Sequence, residues 1–270
     1  MELHVLRNSI RISSLIIFIF LLSCTREADN LFSQAKEFWK RGEYTEAANT
    51  FQRFISCYPE DHRLSEAYYN LGDIYYFYLE DNRASIRYYR QVFKFDKKNE
   101  YICDAQWKVA RIYFEDLRDY NQAIVEYKRF IEINNSELRD IEAQIHIAES
   151  YTTLKYFSQA ITEYEIILND YSENDYNDQI FFRLGNLYFL EDRFDESINY
   201  YRKAIEKTTI KDIKLKSKYS LAECYYKIGE LKTALSIYKQ LYTNSDRYKS
   251  ILKKKIEDIE KNFYVKDKKK

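Results

Sequence analysis

Glycine and proline are nearly missing: 270 residues hold four Gly and one Pro. These residues punctuate structure more strongly than any others, and a chain of stacked helices tolerates them only at set places. Histidine is equally sparse. Of three, His62 and His146 lie beyond the first few residues, and neither has neighbours suited to metal binding or nucleophilic catalysis. Four cysteines show no CxxC spacing and no nearby histidine. Neither sign of charge dominates, at 43 basic against 43 acidic residues, and no basic stripe is visible, so a nucleic-acid partner is not expected. The carboxylates are interspersed with lysine and arginine in the manner of solvated helix faces. Nothing here forms an active site, so the chain is not expected to be an enzyme or to need a cofactor or metal. The longest apolar run, Leu15 to Leu22, is too short to span a bilayer.

What is abundant is aromatic, at 17% with 28 Tyr, and it recurs. A small residue precedes an aromatic by four positions at Ala47/Phe51, Ser85/Tyr89, Ala123/Tyr127, Ala160/Tyr164, Ser197/Tyr201 and Ala234/Tyr238. Twelve or thirteen residues upstream of each stands Gly or Ala with an aromatic three further on: Ala35/Phe38, Gly72/Tyr75, Ala110/Tyr113, Ala148/Tyr151, Gly185/Tyr188 and Ala222/Tyr225. Repeats beginning at Ala28, Ser65, Cys103, Ile141, Asp178 and Leu215 are spaced by 37 or 38 residues. A fixed period of this size marks a solenoid.

Leu71-Gly72-x2-Tyr75 and Leu184-Gly185-x2-Tyr188, each followed by the small-x3-aromatic pattern, resemble the tetratricopeptide repeat (TPR), a pair of antiparallel helices of about 34 residues. The fold class is accordingly all-α, a TPR superhelical solenoid of six helix pairs over residues 28–245, with a capping helix at 246–263 and a disordered basic tail at 264–270. A small residue in each helix would let the backbones approach, the aromatic one turn away filling the wedge above. The five punctuating residues agree with this register: Gly42 and Gly229 in turns, Gly72 and Gly185 at the close approach, Pro59 after a second helix. A different helical bundle is the alternative. Cys57 and Cys103 are separated by a whole repeat, so a bridge is not expected, and packing is the expected role of Cys57, Cys103 and Cys224.

Residues 1–23 carry Arg7 and Arg11 before the short apolar run and read as a signal peptide. Leu21-Leu22-Ser23-Cys24 resembles a bacterial lipobox, which implies acylation of Cys24 and a short lipidated linker, 24–27. Thr25 is not the Asp that resembles an inner-membrane retention signal, so the expected location is the outer membrane, facing the periplasm.

By resemblance, TPR proteins line a concave groove with positions 5 and 12 of each repeat. Here position 5 holds Phe32, Tyr69, Trp107, Ile145, Phe182 and Tyr219, and position 12 holds Trp39, Tyr76, Phe114, Thr152, Phe189 and Tyr226. The ten aromatics are the candidate partner-binding residues, for a protein or extended peptide. The alternative is that they bury against their own repeats. Position 9 mixes signs with Lys36, Asp73, Arg111, Glu149 and Glu223. A lipobox followed at once by such repeats is similar to the BamD family, the lipoprotein of the outer-membrane β-barrel assembly machinery. That resemblance implies a β-barrel assembly subunit and unfolded outer-membrane proteins as partners. A coordinator of Tol-Pal or peptidoglycan-synthesis proteins is the second reading.

Overall fold

The computed structural model describes residues 26–95, 100–134, 136–171, 174–244 and 249–267; the leader 1–23 and Cys24 lie outside them. Among the described residues every regular element is helical, and the chain divides into two compact units, Met1–Asn134 and Asn135–Lys270. The first contains α1 (26–40), α2 (Tyr44–Cys57), α3 (Leu64–Phe77), α4 (Asn82–Val92), α5 (Glu100–Arg111) and α6 (Tyr120–Ile133). The second contains α7 (Glu137–Thr153), α8 (Phe157–Asp170), α9 (Asn177–Leu190), α10 (Phe194–Lys207), α11 (Lys211–Lys227), α12 (Leu231–Asn244) and α13 (Lys249–Asp267). Consecutive helices pair within each unit, three pairs in each, and α13 follows the last pair. α1 is described from residue 26 onward, inside the segment 24–27 expected as a linker, and residues 24 and 25 lie outside the described residues. The expected disordered tail does not begin at 264, because α13 continues to Asp267, with no Gly or Pro to stop it.

Packing, more than capping, holds these helices. Asp81 and Asp119 accept bonds from the amides of Ala84 and Gln122 at 2.9 and 3.1 Å, whereas Glu43, Arg63, Tyr156 and Arg193 stand at helix starts without a side-chain cap bond. The aromatics of the second helices are the centres of the core. Phe51, Tyr89, Tyr127, Tyr164, Tyr201 and Tyr238 are all buried, each burial worth about 1.5 to 3 kcal/mol.

The close approach is built in two ways. In repeats 2 and 5 a Cβ added to Gly72 or Gly185 would lie 2.4 or 2.6 Å from the ring of Tyr89 or Tyr201, and Ser85 or Ser197 donates to that glycine's carbonyl at 2.9 or 2.8 Å. The other four repeats use Ala with Ala: Ala35/Ala47, Ala110/Ala123, Ala148/Ala160 and Ala222/Ala234, all buried.

Every pair turns through one left-handed residue: Gly42, Glu80, Arg118, Lys155, Asp192 and Gly229, with φ between 52° and 85°. Repeats 2 and 3 are the two of 38 residues, and their extra residue enters the turn. In repeat 3 it widens the end of α5 into a π-helical turn, Ile112–Asp116, where the amide of Leu117 reaches the Ile112 carbonyl at 2.9 Å. In repeat 2 the amide of Leu79 bonds Ile74 O at 3.1 Å.

The first-helix aromatics Tyr75 and Tyr188 stack on Tyr88 and Tyr200 of their own pair, with ring centres 5.2 and 5.3 Å apart, and together with Tyr225 they do a second job that the sequence did not announce. Their hydroxyls reach back to the preceding repeat's second helix. Gln52 Nε2 donates to Tyr75 Oη and Tyr88 Oη at 3.1 and 2.7 Å; Glu165 accepts from Tyr188 and Tyr200 at 2.8 and 3.3 Å; Arg202 donates to Tyr225 Oη at 2.5 Å. Arg90 plays the same part toward Tyr113 at 3.3 Å and also pairs with Glu126 at 2.8 Å. Glu126 is fully buried, yet Gln106 and Arg129 satisfy it as well, and removing one partner of such a charge typically costs about 3 to 5 kcal/mol.

Candidate functional site

The ten predicted groove aromatics fall into two sets. At position 5, Phe32 is 5% exposed and sits edge-on to Phe51 and Phe54, with its ring under Arg63 at 4.9 Å. Trp107 lies edge-on to Tyr127 and Phe130 at 5.4 and 5.0 Å, Phe182 meets Tyr201 at 6.0 Å, and Tyr219 meets Tyr238 at 6.2 Å. Tyr69 touches Tyr89 and donates to Asp104. These rings pack on the second helix of their own repeat while their outer edges stay open, except at Phe32.

Position 12 lies a further two turns along, beside the turn. Trp39 faces Tyr78 at 6.4 Å, Phe114 faces Tyr120 at 5.7 Å, and Phe189 faces Phe194 at 5.5 Å. Tyr76 donates to Asp116 at 3.0 Å, and burial together with that carboxylate pushes its phenol up to about 12. Tyr226 is 40% exposed. Phe77 and Leu190, one residue further on, are more than half exposed, so an apolar margin runs beside this set in both units. In repeat 4, Ile145 and Thr152 break the row, and Thr152 Oγ1 donates to the Ala148 carbonyl at 2.8 Å.

Sequence reasoning did not find the work of position 9. Asp73 accepts Lys108 Nζ at 2.6 Å, Glu149 accepts Arg183 at 2.7 Å, and Glu223 accepts Lys255 at 2.5 and 2.7 Å. Each acid thus fastens its repeat to the next helix, and for Asp73 and Glu149 the base stands at position 6 of the following repeat. The opposite signs at positions 9 and 6 stand in the sequence, but only the stacking of the repeats makes them neighbours. The same acids meet the buried tyrosines: Tyr89 donates to Asp73 at 2.5 Å and Tyr238 to Glu223 at 2.6 Å. Burial opposes ionisation of Glu149, but the hydrogen bond from His146 and the charge of Arg183 outweigh it and hold the carboxyl below its ordinary value. Burial also lifts Tyr164 to about 12, with Arg183 opposing.

The rare residues are dispersed. Cys224 is buried with its Sγ 3.2 Å from Ser197 Oγ, and Cys103 Sγ lies 3.4 Å from the Ile133 carbonyl. Packing does not describe Cys57, the last residue of α2, which is exposed. All three are free thiols. His62 is solvent-facing and His146 neighbours Glu149. Among the described residues no group of three or more His, Cys, Asp or Glu could hold a metal, and no helix is long and apolar enough to cross a membrane. What the arrangement offers chemically is contact area: rigid rings with polar tips, flanked by charge.

The balanced total hides a local segregation of that charge. Residues 137–200 carry 4 basic and 14 acidic side chains, whereas residues 201–270 carry 20 basic and 9 acidic. The even mixture of signs expected from the totals therefore does not hold in the second half.

Models of the tetratricopeptide repeat match residues 32–77, 65–99, 104–134, 178–206 and 217–245, more than half of the chain together. The chain belongs to the tetratricopeptide repeat family. Among solved structures, MamA superposes with a TM-score of 0.55 at 20% identity, over 70% of this chain and 96% of that one. A tetratricopeptide repeat protein from Parabacteroides merdae gives 0.52 at 17% identity, over 90% and 89%. YrrB, described as a TPR protein with an unusual peptide-binding site, gives 0.50 at 15% identity, over 70% and 90%. At these identities the likeness is one of fold.

Proposed function

We propose that this protein is a non-catalytic scaffold, tethered to the periplasmic face of a bacterial outer membrane through acylated Cys24, that holds protein partners or extended segments against the first-helix faces of its repeats. The observation that carries the reading is the set of half-open aromatic edges at positions 5 and 12 within each unit, Phe32 excepted, which present area and hydrogen-bonding tips. YrrB, a fold neighbour with a peptide-binding site, supports the peptide part. The Leu-Leu-Ser-Cys sequence supports the anchor, since acyl chains bind membranes at about 0.8 kcal/mol per buried methylene. Within this class, the lipobox and the long repeats that follow favour a BamD-like role in β-barrel assembly.

The test is affinity purification of the tagged, lipidated protein from detergent-solubilised membranes, followed by mass spectrometry. A co-purifying β-barrel protein with periplasmic domains is the expected result. Recovery of Tol-Pal or cell-wall components without any barrel would replace the assembly role and leave the scaffold. Cys24→Ser should abolish palmitate labelling and release the protein from membranes; unchanged partitioning would remove the anchor from the reading.

A further inference from the structure

In repeats 2, 4, 5 and 6 the first helix has, beside the buried second-helix tyrosine, a small chamber whose floor is position 9. At the step from repeat 2 to repeat 3 the chamber is filled by Lys108, which lies 4.3 Å from the centre of the Tyr69 ring and 5.7 Å from those of Phe77 and Tyr89, with its ammonium on Asp73. At the step from repeat 4 to repeat 5 it is filled by Arg183, on Glu149 and 3.4 Å from Tyr164 Oη. After repeat 6 it is filled by Lys255 of α13, 5.6 to 5.8 Å from the ring centres of Tyr219, Tyr226 and Tyr238, on Glu223. Three times in this molecule the occupant is a cation on a carboxylate, and the two lysines are also seated on ring faces.

The step from repeat 5 to repeat 6 is different. The residue at position 6 is Ser220, two atoms long beyond its Cα, and a cavity of about 300 Å3 lies there, lined by Asn186, Phe189, Leu190, Tyr201, Ser220 and Glu223. Its walls repeat those of the filled chambers: the Tyr201 ring stands where Tyr89, Tyr164 and Tyr238 stand, and Asn186 occupies position 9. Tyr201 donates to Asn186 Oδ1 at 2.7 Å, so the amide oxygen is already oriented as an acceptor. Glu223 adds a carboxylate, which can accept about four bonds and is not exhausted by Lys255 and Tyr238.

The geometry points to a subsite for a lysine or arginine side chain contributed by a bound partner, entering the chamber that Ser220 leaves open between repeats 5 and 6. It rests on the reading of these first-helix faces as a partner-binding surface and adds the chemistry that one position selects. The ring faces take the alkyl or guanidinium plane, and Asn186 and Glu223 take the N–H donors. Leu190, 55% exposed at the rim, meets the partner's backbone side.

The test titrates the isotope-labelled full chain with Nα-acetyl-arginine methylamide, its lysine counterpart and, as the uncharged control, its norleucine counterpart, following backbone amide resonances. The two cationic probes should shift residues 186–190 and 220–223 saturably, and norleucine should bind at least tenfold more weakly. Ser220→Lys, which fills the chamber from within as Lys108 does, should cancel the response and raise Tm. Asn186→Leu removes the acceptor from the opposite wall and serves the same purpose if Ser220→Lys folds poorly. Equal shifts with norleucine, no shift with any probe, or a response that survives both variants would overturn the subsite. Partners still captured by the tagged Ser220→Lys protein, with the probes silent, would end the subsite while leaving the scaffold reading in place. Loss of every partner by the wild-type protein would end the scaffold reading instead.

Discussion

Repeats 2 and 5 solve with Gly and Ser the problem that repeats 1, 3, 4 and 6 solve with Ala and Ala. In the first pair the tyrosine ring lies directly on the first-helix backbone, and a serine hydroxyl bonds the glycine carbonyl beneath it. In the others a methyl group on each helix sets the separation. The difference teaches that the two small positions are not independent: omitting one Cβ brings the ring down, and the hydroxyl then finds a carbonyl within reach. Helix propensity runs the other way, since Gly costs about 1 kcal/mol relative to Ala, so packing decides.

The strongest way to break the comparison is Gly72→Ala. Propensity alone predicts a gain, but a Cβ 2.4 Å from Tyr89 forces the ring and α4 outward, and overpacking of this kind costs about 1 to 3 kcal/mol. A net loss of about 2 kcal/mol in urea unfolding is expected; a more stable variant would show that the ring yields freely. Next comes the reciprocal change, Ala110→Gly, which should cost about 1 kcal/mol by propensity. A gain there would mean that Tyr127 can settle as Tyr89 does. Ser197→Ala leaves the Gly185 carbonyl with its helix bond only and should cost about 0.5 to 1 kcal/mol. Combined with Gly185→Ala it should cost less than the sum of the two, because the pair then becomes an Ala–Ala repeat.

The smallest effect is alkaline. Tyr164, lifted by burial to about 12, stays neutral in the folded chain at a pH where the unfolded phenol has ionised. Its contribution is therefore complete below the ordinary tyrosine value of about 10 and is lost as pH rises toward 12. Phenolate absorbance should accordingly show one class of tyrosines titrating near the ordinary value and a buried class only later, with unfolding. A single transition near 10 in a still-folded protein would contradict that division.

Much of this was legible before any coordinates. The period, the close-approach glycines and the buried aromatics follow from which residues are small and which are large, and a repeat states that six times over. Position 12 could likewise be named, because two helical turns separate it from position 5 on one face. The fastening between repeats could not be read the same way. Asp73 meets Lys108, and Glu165 meets Tyr188, through side chains 35 and 23 residues apart, and only the stacking of one pair on the next makes them neighbours. Position 9 therefore looked like an unordered row of charges. The open chamber at Ser220 was hidden for a related reason: it is defined by a side chain that is too short, which becomes visible only beside the three long ones.

The turns carry a last consequence. Glu80, Arg118, Lys155 and Asp192 adopt the left-handed backbone that Gly42 and Gly229 adopt, although a side chain there costs about 1 to 2 kcal/mol. The two helices arriving at the turn impose the bend, and the residue complies. A hairpin of this kind is specified as a shape rather than as a spelling, and within this one chain four different charged residues serve as its corner.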